Sequence, residues 1–102
     1  MREPRTGAEK YFAERMLEPE YRREYEAASA RIRNTDTIIR SLDDRREAEG
    51  LTKAELARRA HLPAEAVRRL FSADQANPTL GTITALAGAL NVELVVKPLK
   101  AS

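Results

Sequence analysis

Apolar residues return at helical spacing over most of this chain. Between residues 8 and 17, Tyr11, Phe12, Arg15 and Met16 follow that spacing, and the segment stops before Pro19, a residue suited to the first position of a following helix. Tyr21, Tyr25, Ala28 and Ile32 then lie at i, i+4, i+7 and i+11, which places them on one face of a second helix. Asn34, Thr35 and Asp36 are cap-forming types. They predict a break and a new helix that turns Ile38, Ile39, Leu42 and the stem of Arg45 inward until Gly50 supplies a left-handed stop. The core domain is expected to begin near Asp36.

Two short helices follow almost without a gap in LTKAELARRAHLPAEAVRRLF, residues 51 to 71. Thr52 and Glu55 form an S/T-x-x-E capping box ahead of Leu56 and Ala57, and the partner helix starts at Pro63. Leu56, Ala57 and Ala60 on the first, with Val67 and Leu70 on the second, make an apolar seam that keeps the pair crossed. Asn77, Pro78 and Thr79 mark a turn and a cap. Leu80, Ile83, Leu86, Ala87 and Leu90 then define an uncharged helix, the expected buried spine, which ends at Asn91. Val92, Leu94 and Val96 alternate with Glu93, Val95 and Lys97 up to Pro98, the pattern of one short strand. A lone strand needs a ladder partner. With no second strand in the sequence, Val92, Leu94, Val95 and Val96 are expected to pair with a second copy and form a homodimer. The chain holds no internal repeat and no low-complexity tract.

Composition narrows the function. The 102 residues suit one small domain with appendages, and 42% hydrophobic with 33% charged residues is too polar for a membrane protein. Early charges at Arg2, Glu3, Arg5, Glu9 and Lys10 argue against a secretory segment, so a cytoplasmic protein is expected. With no Cys and one His, neither a disulfide nor a metal centre is expected, and no cofactor. Nothing has the spacing of a nucleophile with its base or of a phosphate loop, so the chain is not expected to be an enzyme. The formal charge is only +2. Its distribution is uneven: residues 36 to 50 hold Arg40, Arg45 and Arg46 against five acids, whereas residues 51 to 75 hold Lys53, Arg58, Arg59, Arg68 and Arg69 against Glu55, Glu65 and Asp74.

Two helices joined by so tight a corner form a helix-turn-helix unit, whose second helix can enter a major groove while the first crosses the backbone of double-stranded DNA. The outward positions of the second helix are Ala64, Glu65, Ala66, Arg68 and Arg69. Arg can fork onto guanine, Glu can accept from cytosine N4, and Ala can touch a thymine methyl. Lys53, Ser72, Gln75 and Asn77 are the expected phosphate contacts. Arg58 and Arg59 can instead form a solvated face, with Glu55 linked to Arg59, and His61 reads as a left-handed turn residue.

From Gly50 to Val92 the GLT start, the ELA triplet, the NPTL turn and the LAGAL helix resemble the XRE/Cro-type helix-turn-helix family. The chain differs from the family pattern at Lys53, His61 and Pro63, and in one residue inserted before Asn77. The segment EKYFAERMLEPEYRREYEAA is similar to the leader of XRE-type antitoxins of type II toxin–antitoxin modules, and the whole chain resembles the HigA-type antitoxins. The resemblance implies a mainly α, five-helix, lambda-repressor-like domain with an N-terminal helical leader and a short C-terminal strand paired across a dimer. It divides the chain into a toxin-binding leader (1–35), a DNA-binding domain (36–91) and a dimerising tail (92–102). The implied partners are a ribonuclease toxin of the HigB/RelE type and the operator of the chain's own operon, which the dimer would repress. Tyr11, Phe12, Leu17, Tyr21 and Tyr25 are then the expected toxin contacts. These aromatics could instead pack on the body of the same chain. A stand-alone regulator without a toxin, and an interaction module that binds no DNA, are the other two readings of the sequence.

Overall fold

Side-chain caps and left-handed residues divide the chain into five helices and no strand among the residues that the computed structural model describes, 6–72 and 76–100. They are α1 (Gly7–Arg15), α2 (Pro19–Ala48), α3 (Lys53–Ala60), α4 (Ala64–Ser72) and α5 (Leu80–Ala89). At three N-termini a threonine oxygen accepts from the backbone three residues on: Thr6 from Glu9, Thr52 from Glu55 and Thr79 from Thr82. Such a cap satisfies a backbone donor that the helix cannot, and is worth about 1 kcal/mol. At Thr52 the box is closed from both sides, because its N–H donates to Glu55 Oε1 over 3.1 Å. That N–H, acting first, and the Thr52 hydroxyl hold the Glu55 carboxyl below its ordinary range, with Arg58 and Arg59 adding to the effect.

Three helices also end alike. Gly50, His61 and Asn91 take left-handed φ values of 71°, 57° and 55° after α2, α3 and α5. In each case the next residue donates its N–H back across the last turn: Leu51 to Arg46, Leu62 to Ala57 and Val92 to Ala87. Each of those next residues is apolar and packs into or against the core. One local device therefore both stops the helix and anchors the connection.

Residues through Asn34 form one compact unit and those from Thr35 another. The core of the second consists of Leu42, Leu51, Leu56, Ala57, Val67, Leu70, Ile83, Leu86, Ala87 and Leu90. Leu56, Val67 and Leu86 are fully buried, and each such side chain stabilises the fold by about 1.5–3 kcal/mol. α3 packs on both α4 and α5.

Five expectations are corrected. Ile38, expected inward, is 39% exposed, and Leu42 with Ile39 supplies the inward face there. Residues 34 to 36 do not break the helix: α2 runs through them, since cap-type residues in a helix interior cost only about 0.5 kcal/mol each relative to better formers, too little by themselves to end it. The Arg stem folded inward is that of Arg46, not Arg45; its guanidinium bonds Asp43 at 2.8 Å and the Leu51 carbonyl at 2.6 Å, which clamps the turn into α3. Leu80 is 73% exposed although it opens the spine helix, because the buried face of α5 is set by Ile83, Leu86, Ala87 and Leu90. The expected strand is absent among the described residues, and Val92 uses its N–H to close α5 rather than to begin a ladder. With one copy of the chain, residues 93 to 97 have no mate.

Candidate functional site

The corner between α3 and α4 is built from three residues. His61 adopts the left-handed conformation that a glycine would take at lower cost, Leu62 closes the end of α3, and the carbonyl of Pro63 accepts from the N–H groups of Ala66 and Val67 to open α4. α4 buries Val67 and Leu70, one turn apart. Glu65, Ala66, Arg68, Arg69 and Ser72 are exposed. Ala64 is a correction: expected outward, it is half-buried and packs against the core, because it lies three residues before Val67 and shares its face.

The two arginines of α4 differ. Arg68 Nη1 lies 3.3 Å from Glu65 Oε2, whereas Arg69 lines a cleft of about 390 Å³ between α4 and the start of α5, together with Ala66, Asn77, Pro78, Thr79 and Thr82. Asn77 is exposed at the edge of that cleft. The Ser72 hydroxyl donates to the carbonyl of Arg68, so a phosphate contact from it would displace a bond within its own helix. Lys53 is half-buried at the first position of α3. Gln75 lies outside the described residues. Thr79 and Thr82 went unnoticed in the sequence as wall residues of this cleft; the cap signature at Thr79 was the only signal pointing there.

Residues 42–96, more than half of the chain, match the Helix-turn-helix family model. The chain belongs to the XRE-type helix-turn-helix family. No curated protein and no solved structure matches it. The matched region contains α3, α4 and α5 whole. The family is one of DNA-binding domains, and the chain is a DNA-binding regulator of transcription. No helix among the described residues is long and apolar enough to cross a membrane.

Two apolar surfaces complete the picture, one in each unit. In the unit through Asn34, Phe12 meets Tyr21 edge-on with centroids 6.5 Å apart and Tyr25 with centroids 5.1 Å apart. The Arg15 guanidinium lies over the rings of Tyr21 and Tyr11, at 4.9 and 5.9 Å from their centroids. Arg15 and Tyr21 are half-buried in this cluster, whereas Phe12 and Tyr25 stay open to solvent, as do Tyr11 at 62% and Leu17 at 79% exposure. In the unit from Thr35, a groove of about 420 Å³ is lined by Thr35, Ile38, Pro78, Leu80, Ile83 and Leu94 to Val96, with Val96 fully exposed.

Proposed function

We propose that this chain is the antitoxin of a type II toxin–antitoxin module: it binds and neutralises a ribonuclease toxin of the HigB/RelE type and, as a dimer, represses its own operon by binding a palindromic operator. The observation that carries this reading is the aromatic cluster of Phe12, Tyr21 and Tyr25, in which Phe12 and Tyr25 are exposed and which lies outside the residues matched to the DNA-binding family. A DNA-binding regulator needs no such cluster for its own core, while partner interfaces are enriched in Tyr and Phe. The likeness of the leader to those of HigA-type antitoxins points the same way. In this reading Tyr11 and Leu17 join the cluster on the toxin. Lys53, Ser72, Gln75 and Asn77 hold phosphates, and Glu65, Ala66, Arg68 and Arg69 face the bases. The apolar groove of the second unit supports the dimer. Ile38, Leu80, Leu94, Val95 and Val96 present more apolar surface than a monomer needs, and a second copy laid across it would give residues 93 to 97 the ladder they lack.

Co-expression of the tagged full chain with the reading frame adjacent to its own tests the partner. The expected result is that the two products co-purify in a stable complex and that the neighbour arrests growth only when this chain is absent. A neighbour that neither binds nor arrests growth would leave a regulator without a toxin.

A further inference from the structure

Arg68 and Arg69 are adjacent on the exposed side of α4, and among the described residues Glu65, one turn before both, is in ion-pair contact with Arg68. The pair is open to water, with side-chain exposures of 55% for Arg68 and 75% for Glu65. Ion pairs so exposed add little to stability. An acid in the first turn of a helix does favour the helix dipole, but that benefit does not require the carboxylate to meet an Arg that faces DNA. Between phosphates, a carboxylate on this face is unfavourable by like-charge repulsion. Against base edges the balance changes. With Nη1 engaged by Glu65, Arg68 keeps the Nε–H and Nη2–H pair that can fork onto guanine O6 and N7.

Resting on the reading of α4 as the DNA-contacting helix, we propose that Glu65 is a positioning residue that sets specificity, holding Arg68 for a base edge and keeping it from phosphate. Glu65 thereby lowers affinity for arbitrary sequence while leaving the guanine contact intact. The cytosine contact expected of Glu65 from the sequence is replaced by this indirect role.

The test uses the full chain and two probes, the duplex it enriches from a random-sequence library and an unrelated duplex of equal length, each titrated over a range of salt. Glu65→Gln should tighten binding to the unrelated duplex and steepen its salt slope by about one, as Arg68 becomes free to neutralise one more phosphate. The ratio of selected to unrelated affinity should fall about tenfold. In an Arg68→Ala background the same substitution should leave that ratio unchanged, because Glu65 acts through Arg68. A purely helix-stabilising Glu65 would lower the melting temperature without moving the ratio, and that result overturns the proposal. So does an equal loss in the Arg68→Ala background, which would mean that Glu65 reads a base itself. If Arg68→Ala alone leaves the ratio intact, or if the parent enriches no sequence, the reading of α4 fails and the proposal falls with it.

Discussion

Replacing Arg68 and Arg69 together by Ala is expected to abolish sequence-specific DNA binding while leaving the helical content of the protein unchanged. Both side chains are exposed, and Ala is at least as good a helix former as Arg, so the core is untouched and α4 loses only the exposed ion pair of Arg68 with Glu65. A bidentate Arg contact to guanine discriminates by about 1–3 kcal/mol, and a specific site exceeds arbitrary sequence by about 4–10 kcal/mol in proteins of this kind. Removing two such contacts therefore takes away a large part of the difference. Fluorescence anisotropy on the selected duplex, with circular dichroism as control, checks this. A double variant that binds as tightly as the parent at the same salt would show that another surface reads the DNA.

The second large effect is expected from Phe12→Ala combined with Tyr25→Ala. Phe12 is the ring that Tyr21 and Tyr25 share, so its removal dismantles the cluster. Aromatic anchors of an interface typically cost 2 kcal/mol or more when truncated, and the affinity for the proposed toxin should fall by about thirtyfold at least. Affinity for the selected duplex should stay close to that of the parent, since neither residue belongs to the matched DNA-binding region. Titration calorimetry with the purified neighbour, next to the anisotropy assay, separates the two activities. Equal loss of both would show that the rings hold the fold together, and undiminished toxin affinity would place the interface elsewhere.

Local signals were the most legible part of this fold. The Thr52 to Glu55 box, Gly50 as a helix stop and the left-handed His61 are all visible in the sequence because each depends on a few adjacent residues. The seam of Leu56, Ala57, Val67 and Leu70 was legible for the same reason, as helical periodicity reports which face is buried. Features that depend on tertiary context are not legible in the sequence. Asn34 to Asp36 look like a cap, but nothing local says whether the flanking turns will carry the helix through them. Arg45 and Arg46 are indistinguishable in sequence, and only the position of the Leu51 carbonyl selects Arg46 as the clamp. Ala64 is the exception: its i, i+3 spacing to the buried Val67 already marks it in the sequence as an inward residue. The alternation after Asn91 has the period of a strand, but a strand is a property of a pair, and one copy of the chain cannot reveal its mate. For the DNA-facing site the sequence supplied the residue types; the pairing of Glu65 with Arg68, and the cleft beside Arg69, needed three dimensions.

Methylation interference on the selected duplex tests most directly whether α4 enters the major groove with its arginines on guanine. Dimethyl sulfate modifies guanine at N7, in the major groove, and adenine at N3, in the minor groove. The account predicts that methylation of a guanine N7 in each half-site blocks binding of the parent, with the two positions about one helical turn apart or a multiple of it. It also predicts that Arg68→Ala no longer responds to that methyl group. Interference confined to adenine N3, or an interference pattern that Arg68→Ala shares with the parent, would contradict it.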